Sequence, residues 1–280
     1  MHILVDGNRI AQEIKAKLLA YTQSVSVPIS FHIIYVGSDP VIDNFIKYKK
    51  AFGESIHVDV TVHHFDEQVT QEDLLSSIHV IALTADAMIV QLPLPSHLDR
   101  QVILDAIPAE KDVDVLGTKS RVQFREHASL FFPPVTGSIV AIFDHYDVLL
   151  EGKHIVLVGN GSLVGYPTTL WFEREGITYD LVTKDTDVHL RDRLLRNANV
   201  VITGAGVPHM ITSDMVKEGA VLIDAGTSEA DRKIQGDIHP QAFNKALLAT
   251  PVPGGIGPIT IAVLYQNVIT AHKQFHDVPR

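Results

Sequence analysis

Apolar residues recur at helical spacing from Ile10 to Tyr21, and the next apolar run, Ser30 to Gly37 (SFHIIYVG), is β-branched and bounded by turn formers. This change of period predicts a helix followed by a strand. The alternation continues with a helix near 44–53, a strand near 57–65, a helix over 72–83 and the strand AMIVQLPLP (87–95), which ends in prolines. The order βαβαβ predicts a parallel sheet with covering helices. A second series follows the proline-rich FFPPVTG (131–137). It has a helix from Ser138, a strand at 154–158, a helix after Gly165, a strand at 179–182, a helix near 188–195, and the strands VVITGAG (200–206) and AVLIDAG (220–226). That series predicts a doubly wound sheet and places a domain change between Leu116 and Ser138. A last helix, 259–276, follows the turn PVPGGIGP, and the pattern leaves open which domain it joins.

Composition narrows the class. With 280 residues, 46% of them hydrophobic and 20% charged, the chain can fill the cores of two ordinary domains. A formal charge of −10 excludes a non-specific binder of phosphate backbones, so nucleic acid is not an expected partner. The absence of cysteine excludes disulfides, thiolate metal sites and a cysteine nucleophile. The N-terminal MHILVDGNRI matches neither a signal peptide nor a membrane span, which makes the cytoplasm the expected compartment. The 15 histidines are read as solvated or core groups: their scatter is taken to give no i, i+4 metal pair and no HExxH, and no metal site is expected.

Three stretches carry candidate chemistry. VLVGNGSLVGYP (156–167) runs a strand into glycines at 159, 161 and 165 and then into a helix. Such a turn is either a structural corner or a phosphate site, where backbone N–H groups and a helix N-terminus meet an anion. Its spacing departs from G-x-G-x-x-G, because Val164 stands where that fingerprint needs glycine. Lys49 lies four residues after Phe45, so both project from one helix face, as a cleft wall or as part of a solvated run with Lys47 and Lys50. Asp112 and Asp114 in KDVDVLG serve either as turn residues or as acceptors for a ligand's donors.

These segments, with YVGSDP (35–40), VQLPLP (90–95), GDI (236–238) and TPVPGGIGPIT (250–260), occur in one collinear order. In that order the chain resembles the bifunctional methylenetetrahydrofolate dehydrogenase/cyclohydrolases, from about Asp6 to Asn267. The resemblance implies an N-terminal α/β catalytic domain (1–118 plus 255–280) and a Rossmann-like cofactor domain (119–254), with the C-terminal helix returning to the first. It implies oxidation of 5,10-methylenetetrahydrofolate with a nicotinamide cofactor, hydrolysis of the methenyl product to 10-formyltetrahydrofolate, and a homodimer. It makes Lys49 the catalytic lysine, with Gln91 beside it and Asp114 holding the pterin ring. Phe45, Asp112, Pro251, Gly254 and Gly255 are the implied substrate contacts. Gly159, Asn160, Gly161, Ser162, Val164, Gly165, Lys184, Gly204, Thr227 and Thr260 are the implied cofactor contacts. The displaced glycine also fits, since the family's turn has the form G-x-S-x-x-x-G.

The chain departs from the family pattern at several positions. Phe45 replaces a tyrosine, which keeps stacking and removes a hydroxyl. Ile42 replaces a serine, Val115 replaces a glycine, and PPVTGS (133–138) replaces P-C-T-P-x-G. Asn160 and Gly161 stand where NADP-dependent members carry arginine and serine. Lys184 would supply the missing grip on a 2′-phosphate, whereas Asp185 would favour the ribose hydroxyls of NAD. NADP is the expected cofactor, with NAD as the alternative. The competing functions are a monofunctional NAD-dependent dehydrogenase or cyclohydrolase, and a non-catalytic folate- or nucleotide-binding relative.

Overall fold

The computed structural model describes residues 2–230 and 233–276. In chain order the elements begin β1 (Ile3–Leu4), α1 (Gly7–Thr22), β2 (Ile29–Val36), α2 (Pro40–Glu54), β3 (Val58–Phe65), α3 (Gln71–Ala82) and β4 (Ala87–Val90). Three helices follow, α4 (Arg100–Asp105), α5 (Thr118–Arg125) and α6 (Pro134–His145). The series continues through β5 (Ile155–Val158), α7 (Gly165–Glu175), β6 (Asp180–Val182), α8 (Val188–Asn197), β7 (Val200–Thr203) and β8 (Ala220–Asp224). A short hairpin, β9 (Ser228–Ala230) and β10 (Lys233–Gln235), precedes β11 (Ala246–Ala249) and α9 (Ile256–His276).

The chain divides into two compact units. One comprises Met1–Gln12 and Val135–Thr260, the other Glu13–Pro134 and Ile261–Arg280. These limits differ from those the resemblance implies, for local reasons. Residues 2–12 join the larger sheet because β1 pairs in parallel with β11. Residues 119–134 stay with the smaller sheet, where the Asn267 amide donates to Phe132 O at 2.7 Å and to Val113 O at 2.8 Å. The last helix does return to the unit that holds residues 13–134, since Ile261 onward belongs there.

The smaller unit has a three-stranded parallel sheet in the order β3-β2-β4. One core covers it, built from Ile34, Met88 and Val90 against Leu74 and Ile78 of α3. The larger unit has a six-stranded parallel sheet in the order β1-β11-β8-β7-β5-β6. Its central strands, IVLV, VVIT and AVLID, are buried along their whole length, as strands covered on both faces must be. The strand order reverses between β5 and β7, because the chain leaves β5 outward to β6 and returns on the other side to β7. In open α/β sheets, ligands bind outside the carboxyl ends of strands at such a reversal.

Candidate active site

In the three-stranded unit, α2 starts sharply. Asp39 accepts N–H bonds from Val41 and Ile42, and Pro40 opens the first turn. Two turns on, the Lys49 ammonium donates to Gln91 Oε1 at 2.7 Å. Gln91 directly follows β4. Its backbone N–H donates to Ile34 O at 2.8 Å and its side-chain amide to Leu92 O at 2.9 Å, which aims Oε1 at the lysine. From behind, the buried Tyr265 hydroxyl of α9 donates to Lys49 O at 2.7 Å. Gly53 keeps that path open, because a methyl there would collide with the Tyr265 hydroxyl and with Val60.

Lys49 and Asp114 are both half-buried, and their charges act on each other. Burial pulls the Lys49 ammonium below the ordinary lysine value, and Asp114 opposes that shift. Burial likewise pushes the Asp114 carboxyl up, and Lys49 opposes it. Among the described residues, no donor engages the Asp114 carboxylate. Phe45, one turn before Lys49, presents an exposed ring on the same helix.

Asp112 does not join this group. Its carboxylate is buried inside its own loop, where Oδ2 accepts N–H bonds from Leu116 at 3.0 Å and Gly117 at 2.8 Å. The carboxylate thereby braces its own loop, and burial pushes this acid up to about 6. Val115, at the position where the family pattern is expected to hold glycine, takes a backbone conformation that glycine adopts freely. Its backbone is left-handed, with φ +56°, an outlier for a β-branched residue that costs about 1–3 kcal/mol. Its side chain is fully buried, which offsets part of that strain.

In the six-stranded unit, the turns after β5 and β7 interlock at the strand reversal. Gly159 has φ +91°, and a Cβ there would lie 2.8 Å from Gly204 O and 2.9 Å from Ala205 Cα. A methyl on Gly165 would strike Gly159 O and come within 2.7 Å of Asn160 Cα, while the Val164 side chain packs onto Gly204. Gly159, Val164, Gly165 and Gly204 are therefore needed for backbone packing, whatever they touch besides. Gly161 differs, since its nearest neighbour would be 3.8 Å away. The first turn of α7 carries no side-chain cap, but Tyr166 N–H donates to Gly161 O at 3.0 Å and Pro167 has no N–H, so the turn beside Asn160, Gly161 and Ser162 is partly closed by its own backbone.

Lys184 and Asp185 are exposed in the turn after β6, at the same end of the sheet. Thr227 is exposed just beyond β8. Gly254 has φ +100° in open space, whereas Gly255 N donates to Pro251 O at 2.8 Å, so this turn is locked by its own backbone. The Thr260 hydroxyl is engaged by Ile256 O at 3.1 Å and by the buried Ser138 hydroxyl at 3.2 Å.

Two acids carry more of this architecture than the sequence indicates. Asp237 accepts from Thr203 Oγ1 and Ala205 N at 2.7 Å each and from Val207 N at 2.8 Å, which fixes the loop after β7. Asp224 accepts from Gly226 N, Asp237 N and Ile238 N, and burial outweighs these donors to push its carboxyl up to about 6. The signal was present in AVLIDAG and GDI, where an acid closes a strand or follows a glycine. The histidines also need correction. His272 and His276 form an i, i+4 pair on α9, and with Asp86 they place three ligand-type atoms within 4.8 Å of one another.

Fold and site together define a class, a two-domain α/β protein whose larger sheet is built for a dinucleotide and whose smaller unit holds a half-buried lysine–amide pair. Residues 5–114 match the catalytic domain of the tetrahydrofolate dehydrogenase/cyclohydrolases, and residues 133–276 match their NAD(P)-binding domain. The chain belongs to the tetrahydrofolate dehydrogenase/cyclohydrolase family. It is 33% identical to the bifunctional protein FolD of Nautilia profundicola, with 97% of this chain and 98% of that protein covered. It is 34% identical to the FolD of Exiguobacterium sibiricum, covering 98% and 100%. The crystal structure of the Campylobacter jejuni bifunctional enzyme superposes with a TM-score of 0.93 at 30% identity, covering 98% of this chain and 100% of that one. The Trypanosoma brucei FolD, crystallised with NADP and an inhibitor, gives 0.93 at 26% identity, covering 98% of each chain. Among the described residues, no helix is long and apolar enough to cross a membrane.

Proposed function

We propose that this protein oxidises 5,10-methylenetetrahydrofolate to the methenyl form with NADP+ and hydrolyses that product to 10-formyltetrahydrofolate. The observation that carries the reading is the Lys49–Gln91 contact at 2.7 Å, on a lysine whose ammonium is destabilised by burial. Hydrolysis adds water to an amidinium carbon and then moves protons, so it needs a group that exchanges a proton near neutrality. Burial makes Lys49 easier to deprotonate than an ordinary lysine, which suits it to that exchange. Gln91 holds it in place, the Asp114 carboxylate accepts the pterin's amino and ring N–H donors, and the Phe45 ring stacks on the substrate.

The six-stranded unit fits a dinucleotide in two respects. The first turn of α7 has no side-chain cap, and Gly161 leaves room beside it for a ligand to approach the backbone. Asn160, Gly161 and Ser162 would lie along the pyrophosphate, and Lys184 would take the 2′-phosphate that selects NADP. The nicotinamide ring, when bound, supplies the hydride acceptor, while the protein's part is orientation and exclusion of water. Steady-state assays with each cofactor test the reading. Methenyl-folate absorbance should grow with NADP+, and its absence with both cofactors would refute the dehydrogenase activity.

A further inference from the structure

The last turn of α9 carries a second cluster of chemistry. His272 and His276 stand one turn apart on one face of the helix, their ring centroids separated by 4.3 Å. Both reach Asp86, the residue immediately before β4. His272 Nδ1 lies 3.3 Å from Asp86 Oδ2, and His276 Nε2 lies 3.0 Å from Oδ1. The carboxylate is held from behind, since Ser30 donates to Oδ2 through its N–H at 2.8 Å and its hydroxyl at 3.2 Å. Burial pushes the Asp86 acid up, but the Ser30 N–H and the two imidazoles outweigh it and keep the group ionised. His272 and Asp86 are buried, while His276 remains 35% exposed and gives an entry path.

We propose that Asp86, His272 and His276 bind a divalent transition metal of the zinc class, with water completing the coordination. Metal–ligand distances of about 2.0–2.2 Å set neighbouring ligand atoms roughly 3.3 Å apart in a tetrahedron, and each imidazole lies near that distance from one oxygen of the carboxylate, His272 at 3.3 Å from Oδ2 and His276 at 3.0 Å from Oδ1. All three ligand atoms lie within 4.8 Å of one another, so closing the set needs side-chain adjustment only. The donor set, two imidazoles and one carboxylate, selects borderline ions over calcium or magnesium, which require oxygen-rich cages. The Ser30 donors act as an outer shell that orients the carboxylate. A bound ion would clamp the end of α9 to the start of β4. Through the same helix, Tyr265 holds the backbone of Lys49. The site thus stabilises the element behind the catalytic lysine without touching it.

The test is titration of tag-free protein with Zn2+ by calorimetry and with Co2+ by visible absorption. One ion per chain with tetrahedral Co2+ bands is expected, together with a higher melting temperature in Zn2+. His276→Ala, at a partly exposed position, should fold normally, bind at least about tenfold more weakly and lose the thermal shift. Asp86→Asn should weaken binding similarly. A neighbouring pair, His32 and His63, has ring nitrogens 2.8 Å apart, so His32→Asn is the control and should leave binding unchanged. Absence of binding in the parent protein overturns the proposal. So does affinity that survives His276→Ala and Asp86→Asn undiminished, or affinity lost in His32→Asn as fully as in His276→Ala.

Discussion

The Lys49 ammonium meets Gln91 Oε1 at 2.7 Å although 42 residues separate them, because the fold brings α2 beside the residue that follows β4. A neutral amide at that distance orients a lysine without fixing its charge, as a carboxylate would. Lys49→Met should therefore lower methenyl-folate hydrolysis about 10²–10⁴-fold. Hydride transfer, which asks for orientation rather than proton exchange, should decline far less. Following both absorbance changes in one preparation checks this, and unchanged hydrolysis would remove Lys49 from the mechanism.

The pH profile follows from the direction of the lysine's shift. Burial lowers the Lys49 value from 10.5, so its neutral form is populated at lower pH than in an ordinary lysine. Hydrolysis should rise with pH as Lys49 loses its proton and level off at a lower pH than an ordinary lysine would allow. Lys49→Arg, which stays protonated throughout, should show only the residual rate across the same range.

Asp112 and Asp224 make a prediction for stability. Both acids have folded values raised to about 6, above the ordinary 3.8, so the protonated form is favoured in the fold. Their contribution is fully present below the unfolded value and is lost as pH rises through about 6. Asp112→Asn keeps an oxygen for Leu116 N and Gly117 N and removes this titration. The parent should lose about 2 kcal/mol more than the variant between about pH 4.5 and about pH 7.5, measured by urea unfolding.

The glycine turn separates packing from ligand contact. Gly165→Ala forces a methyl against Gly159 O and should destabilise the six-stranded unit by about 1–3 kcal/mol or more. Gly161→Ala has room and should change stability by less than about 0.5 kcal/mol, so a rise in the cofactor KM there would report contact with the ligand. Thermal melts beside steady-state kinetics make the comparison.

For cofactor choice, Lys184→Ala should raise the KM for NADP+ about tenfold and leave that for NAD+ unchanged. Equal changes for both cofactors would show that Lys184 does not reach the 2′-phosphate.

Sequence periodicity by itself determined the alternation of strand and helix and hence both parallel sheets, because buried parallel strands need unbroken apolar runs such as IVLV and VVIT. It missed β1, a two-residue strand whose pairing with β11 depends on chain ends far apart in sequence. It overextended the strand AMIVQLPLP, which ends at Val90 before its prolines. Collinear motifs marked Lys49, Gln91 and Asp114, but only the tertiary structure showed that Lys49 and Gln91 touch. It also turned Asp112 inward as a brace, by supplying two backbone donors from its own loop. The roles of Tyr265, Asp237 and the Asp86–His272–His276 cluster were decided the same way. Burial and hydrogen-bond partnership are properties of neighbours brought together by folding, and spacing along the chain does not encode them.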